Sequence, residues 1–136
     1  MTQWANSLIR ISNYEVETLQ KRLAEIAARR VSAELRIATL DAEREIERAR
    51  AEEDQASAMM WSAYDKGWKL RRSGAEAELA TVGLEEAGAR EALTRAYEEL
   101  KKFEHVAELS RLSAVAARAK RETAQLDEMA LRRQAG

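Results

Sequence analysis

The only histidine, His105, follows Glu104 and precedes Glu108 by three residues. An imidazole and a carboxylate one helical turn apart are the raw material of a helical metal site or of acid–base chemistry. A di-iron bundle needs Glu-x-x-His on two helices plus two further glutamates, and here position 102 is Lys102. With one histidine and no cysteine, neither a Ser-His-Asp nor a Cys-His site has support. A solvated or seam-edge His105 is therefore expected, with no metal and no cofactor. Gly67, Gly74, Gly83 and Gly88 form neither GxxxxGK[ST] nor GxGxxG, so the chain is not itself a P-loop nucleotidase. The acidic residues Asp41, Glu43, Glu45, Glu47, Glu52, Glu53 and Asp54 are interleaved with Arg44, Arg48 and Arg50. Mixed charges at this spacing read as a solvated helix face rather than a cation site. No catalytic residue is expected, and the chain reads as a non-enzyme.

Two groups of residues suit contact better than catalysis. Trp61, Tyr64 and Trp68 are spaced three and four apart, which sets them on one helix face, with Met59 and Met60 just before them. Either they close the end of a helical pair by packing on Leu70, Leu79 and Val82, or they form a docking patch, since Trp and Tyr are enriched at binding hot spots. The neighbouring pair Arg71-Arg72 reads as a solvated loop that could also meet an acidic partner. The second group is an apolar line, Leu109, Leu112, Ala116, Ala119, Thr123, Leu126 and Ala130. It is either the edge of a broad apolar face or a surface for another protein, with Leu109, Leu112 and Leu126 as its large members.

The elements that must carry these residues are long helices. Apolar and small residues recur at alternating steps of three and four: Ile9, Ser12, Val16, Leu19, Leu23, Ile26, Arg30, Ala33, Ile37, Leu40. A second series runs Leu79, Val82, Glu86, Ala89, Leu93, Ala96, Leu100, Phe103, Ala107, Ser110, Ala114, Ala117, Arg121, Ala124, Glu128, Leu131. These are heptads, and each lays a stripe that another helix must cover. After Leu40 the first series weakens through Arg44, Glu47 and Ala51, while Ile46, Ala49 and Met60 carry a shifted phase, as at a stutter.

The spacing predicts an all-α, two-helix antiparallel coiled-coil hairpin filling residues 1–136 as a single domain. Arg71-Arg72-Ser73-Gly74 lies near the midpoint and is the expected turn, since glycine tolerates the left-handed conformation that ends many helices. Helix 1 would span about 3–70 and helix 2 about 75–133. Leu40 would then face Phe103, Leu23 the region of Arg121, and Leu19 Ala124 and Leu126. Gly83 and Gly88 weaken the start of the second helix, read as fraying in preference to a mobile tip.

Composition agrees with that architecture. The 136 residues include no proline, alanine is the commonest residue, and charged residues make up 35% against 5% aromatic. Such residues are the strong helix formers, and the mixture is that of a coiled coil. Twenty-three Lys+Arg balance 24 Asp+Glu for a formal charge of −1, without the basic face that nucleic-acid binding requires. No signal peptide is read at Met1-Thr2-Gln3-Trp4, and no apolar run reaches the ~20 residues that span a bilayer, so a cytoplasmic chain without direct membrane insertion is expected.

The terminal segments carry a likeness to a known family. Leu8-Ile9-Arg10, Tyr14-Glu15 and Leu19-Gln20-Lys21-Arg22-Leu23-Ala24-Glu25 resemble the amino-terminal helix of the flagellar FliJ family. Tyr97-Glu98-Glu99-Leu100-Lys101-Lys102 and Lys120-Arg121-Glu122-Thr123-Ala124-Gln125-Leu126-Asp127-Glu128 resemble its late helix. The likeness runs nearly end to end, but the stretch 59–74 matches no family signature, and Val106-Ala107-Glu108 stands where a more basic run is usual. The resemblance implies a cytoplasmic component of the flagellar type III export apparatus, peripheral to its membrane-embedded gate. It implies an antiparallel hairpin, similar to the stalk of the rotary ATP synthase, that enters the hexameric export ATPase, promotes its activity and couples it to the export gate protein. Export chaperones are further partners of that setting. By this analogy the chain ends enter the ring, and Trp61, Tyr64, Trp68, Arg71 and Arg72 face the gate. A self-associating structural coiled coil is the alternative.

Overall fold

The computed structural model describes residues 2–135 and contains two helices, α1 (Thr2–Glu53) and α2 (Gln55–Ala135). The fold is an all-α helical hairpin, as the periodicity requires. The turn lies elsewhere than expected. Asp54 is the one residue between the helices, and residues 71–74 sit inside α2. The bounds expected for the two helices, about 3–70 and 75–133, are corrected accordingly.

The reason is capping. The Asp54 carboxylate accepts the Ala56 N–H at 3.2 Å and the Ser57 hydroxyl at 3.0 Å. Its carbonyl accepts the Ala58 N–H at 2.9 Å, the first backbone bond of α2, while its own N–H closes the last turn of α1 on the Arg50 carbonyl at 3.0 Å. An aspartate with these bonds is an N-cap, and the negative charge of Glu52, Glu53 and Asp54 suits the positive end of α2. The same charges oppose the negative end of α1, whose last turn holds only Arg50 as a cation. Glycine permits a left-handed residue but does not impose one, and no described glycine has positive φ.

Moving the turn changes the register while leaving the stripes intact. Leu40 lies beside Trp68 rather than Phe103, a displacement of 35 residues, or five heptads, along α2. Arg121, Ala124 and Leu126, expected to face Leu19 and Leu23, are exposed. A shift by whole heptads presents the same helix face, so periodicity fixes which residues turn inward but not which ones meet.

Two compact units are formed. In Thr18–Leu93, Ile26, Val82 and Ala89 make the core with Leu23 against it, and Ala33, Leu40 and Ala75 are also buried. Glu86 is buried in this seam at 6% exposure. Its Oε2 accepts Arg30 Nε and its Oε1 accepts Arg90 Nη2, both at 2.6 Å, while Arg30 also pairs with Glu34 at 3.0 Å. The other unit joins Met1–Glu17 to Thr94–Gly136. There Ala5, Ser12 and Val16 are buried, as are Ala96 and Leu100, with Phe103, Ala107 and Ser110 half-buried. The described residues beyond Ser110 are all exposed.

Candidate functional site

Within the Thr18–Leu93 unit the aromatic residues continue the buried stripe of α2. Trp61, Tyr64 and Trp68 lead in steps of three and four into Arg72, Ala75, Leu79 and Val82, and all three rings are half-buried. The Trp61 and Tyr64 ring centroids are 5.8 Å apart with planes tilted by 34°. Their partner from α1 is a cation. The Arg44 guanidinium lies 4.7 Å from the Trp68 ring and 5.5 Å from that of Trp61. Arg44 also donates to Asp65 through Nε at 3.2 Å and Nη2 at 3.1 Å. The weak α1 seam at Arg44 is thus a site where a guanidinium, flat and apolar on its faces, covers two indoles.

Further polar contacts fix this cluster. Trp68 Nε1 donates to the Leu40 carbonyl at 2.6 Å, using the second lone pair of a helical carbonyl. Arg72 forks onto Asp41, Nε to Oδ1 at 2.8 Å and Nη2 to Oδ2 at 3.3 Å, and also pairs with Glu76. Lys69 meets Asp65 at 3.0 Å. Arg72 and Arg71 lie 5.8 Å from the Trp68 and Tyr64 rings respectively. The hydrogen bond from Arg72 holds the Asp41 carboxyl below its ordinary range. Lys69, with Arg44 beside it, does the same for Asp65. Arg72 is correspondingly raised, chiefly by Asp41.

Of the two readings for the aromatics, packing thus has a physical basis, although Leu70 has no part in it, being 76% exposed. Met59 and Met60, like Leu70 and Ile46, leave apolar surface open here. A shallow groove of about 330 Å³ borders Glu47, Ser57, Met60, Trp61, Ala63 and Tyr64. The structure brings Trp61, Tyr64, Trp68, Arg71 and Arg72 together. Sequence reasoning missed Asp41, Arg44 and Asp65 as their partners, although Arg44 and Asp65 each occupy or border a stripe.

Within the other unit, Leu109, Leu112 and Leu126 are exposed. They lie on α2 roughly 130–170° around the helix from the middle of the Ala107–Ser110 stripe, since each residue advances about 100°. Val115 and Met129 extend that open apolar surface. Glu108 pairs with Arg111 at 2.6 Å, and His105 is exposed. No set of three His, Cys, Asp or Glu side chains among the described residues could hold a metal ion. Among the described residues, no helix is long and apolar enough to cross a membrane.

No family model matches the chain, and no solved structure matches it. Curated relatives do. The flagellar FliJ protein of Caulobacter vibrioides strain NA1000 is 51% identical over 135 residues, covering 99% of this chain and 97% of that protein. The flagellar FliJ protein of a second strain of the species matches equally well. Such identity, running the length of both helices and their turn, places the chain in the flagellar FliJ family.

Proposed function

We propose that this protein is a non-enzymatic, cytoplasmic component of the flagellar protein export apparatus. In this reading it inserts into the hexameric export ATPase, promotes ATP hydrolysis and couples the ring to the membrane export gate. The observation that carries the proposal is the 51% identity to flagellar FliJ proteins over 99% of the chain. Two features of the chain support the reading. The face bearing Leu109, Leu112 and Leu126 is open for the ring, and the cluster of Trp61, Tyr64, Trp68, Arg71 and Arg72 lies near the turn for the gate.

The direct test mixes the purified chain with the hexameric export ATPase. Hydrolysis should accelerate, and a chain ending at Ser110 should lose the effect. An unchanged rate, together with normal swimming of cells lacking the gene, would overturn the reading. Replacing Trp61 and Trp68 by alanine separates the two roles of the aromatics. Lowered thermal stability with normal export and partner binding would mean that they only pack.

A further inference from the structure

The stripe on α2 that is covered at Ala96, Leu100, Phe103, Ala107 and Ser110 does not stop where its cover does. It continues in phase as Ala114, Ala117, Arg121, Ala124, Glu128 and Leu131, all exposed. This continuation has the composition of the covered seam: small or apolar residues interrupted by one arginine and one glutamate. In the covered seam the same two residue types, Arg30 and Glu86, pair across antiparallel helices at 2.6 Å. The open stretch therefore repeats a device that works when a second helix runs antiparallel to it.

We infer that residues 111–131 of α2 pair antiparallel with the same residues of a second copy of this chain. With Arg121 of one copy opposite Ala124 of the other, Ala117 meets Glu128 and Ala114 meets Leu131, so small residues face large or charged ones in each outer layer. Arg121 then lies one layer from Glu128 of the second copy, and the symmetry repeats the contact. At the flank, Lys120 comes opposite Asp127 of the second copy. The cations at 120 and 121 precede the anions at 127 and 128 by one heptad, which makes the segment self-complementary only when reversed. A parallel pair would set Arg121 on Arg121 and Glu128 on Glu128, and like charges so placed repel. Glu128 already meets Arg132 of its own helix at 2.9 Å. That exposed contact is weak enough to be replaced.

The pairing uses the Ala114–Leu131 stripe and leaves Leu109, Leu112 and Leu126 on another face. It concerns the isolated chain and does not depend on the export reading, so either can fail alone. Sedimentation equilibrium of the full chain should show a reversible monomer–dimer equilibrium. Arg121→Glu and Glu128→Arg should each raise the dissociation constant about tenfold or more, as loss of a close charge pair does. The double exchange, Arg121→Glu with Glu128→Arg, should restore it to within a few-fold, because the reversed charges again complement. Circular dichroism checks that each variant keeps its helices. Since the chain has no cysteine, Ala117→Cys chains mixed with Glu128→Cys chains should form a mixed disulfide under mild oxidation, in preference to self-linked pairs. A chain monomeric to about 1 mM, or Ala117→Cys chains that link chiefly to one another, would overturn the inference. So would a charge exchange that fails to restore pairing while helicity is intact.

Discussion

Arg30 of α1 meets Glu86 of α2 inside the seam, Nε to Oε2 at 2.6 Å, and Glu86 is almost fully buried while Arg30 retains about a third of its side-chain exposure. That asymmetry decides how the pair responds to mutation. Arg30→Leu leaves a buried carboxylate with Arg90 alone. Glu86→Leu leaves cations that can swing into water and adds apolar surface to the core. Breaking a buried pair by removing one partner is costly, whereas replacing both by apolar residues is often neutral or stabilising. Arg30→Leu should therefore lower the melting temperature by several degrees and Glu86→Leu by less. The double variant should melt near or above the parent. A differential scanning calorimetry cycle over the four chains measures this.

The Asp54 cap gives a local test of the turn. Asp54→Ala removes the acceptor of the Ala56 N–H and Ser57 hydroxyl. Loss of such a cap costs about 1 kcal/mol, and Asp54→Asn should retain most of it. Urea denaturation followed at 222 nm should give that order, with the midpoint of Asp54→Ala the lowest.

What the sequence made legible, and what it hid, follow from one physical distinction. Periodicity reports which face of a helix is buried, and the stripes through Val16, Ile26, Ala33 and Leu40 and through Val82, Ala89, Ala96 and Leu100 are buried as read. Register depends on where the chain reverses, and the stripe repeats every heptad, so many reversals satisfy it equally. The deciding signal was Asp54, a favoured N-cap residue type, obscured by the surrounding run of charge. The aromatic cluster was legible as a face. Its partner was not, because Arg44 reads as a defect in an apolar seam until its guanidinium is set against two indoles.

Acid should weaken the Thr18–Leu93 unit in a defined window. Asp41 and Asp65 titrate below their ordinary range when folded, through Arg72 for the first and Lys69 with Arg44 for the second. A carboxyl with a depressed folded pKa contributes its full stability above its unfolded value, near 3.9, and loses it as pH falls through the folded value. The melting temperature should stay nearly constant from pH 7 to about pH 5 and fall below about pH 4. Asp41→Asn and Asp65→Asn should lower it at pH 7 and flatten the acid slope. A double variant as acid-sensitive as the parent would assign that slope to other groups, among them Glu85, which Arg29 likewise depresses.

Gly74 and Gly83 distinguish the two turn positions by the sign of a single measurement. Both are exposed within α2, neither has positive φ, and a Cβ added at either would meet no heavy atom within 4 Å. In a helix interior alanine is favoured over glycine by about 1 kcal/mol, partly because the unfolded chain loses freedom. Gly74→Ala and Gly83→Ala should each stabilise the chain by up to about 1 kcal/mol. Being nine residues apart on exposed positions, they should add in the double variant. If the chain instead reversed at residues 71–74 with Gly74 in a left-handed conformation, Gly74→Ala would strain that turn and destabilise the fold, while Gly83→Ala would still stabilise it. Chemical denaturation of the two single variants therefore tests the reversal at Asp54 without any need to alter Asp54 itself.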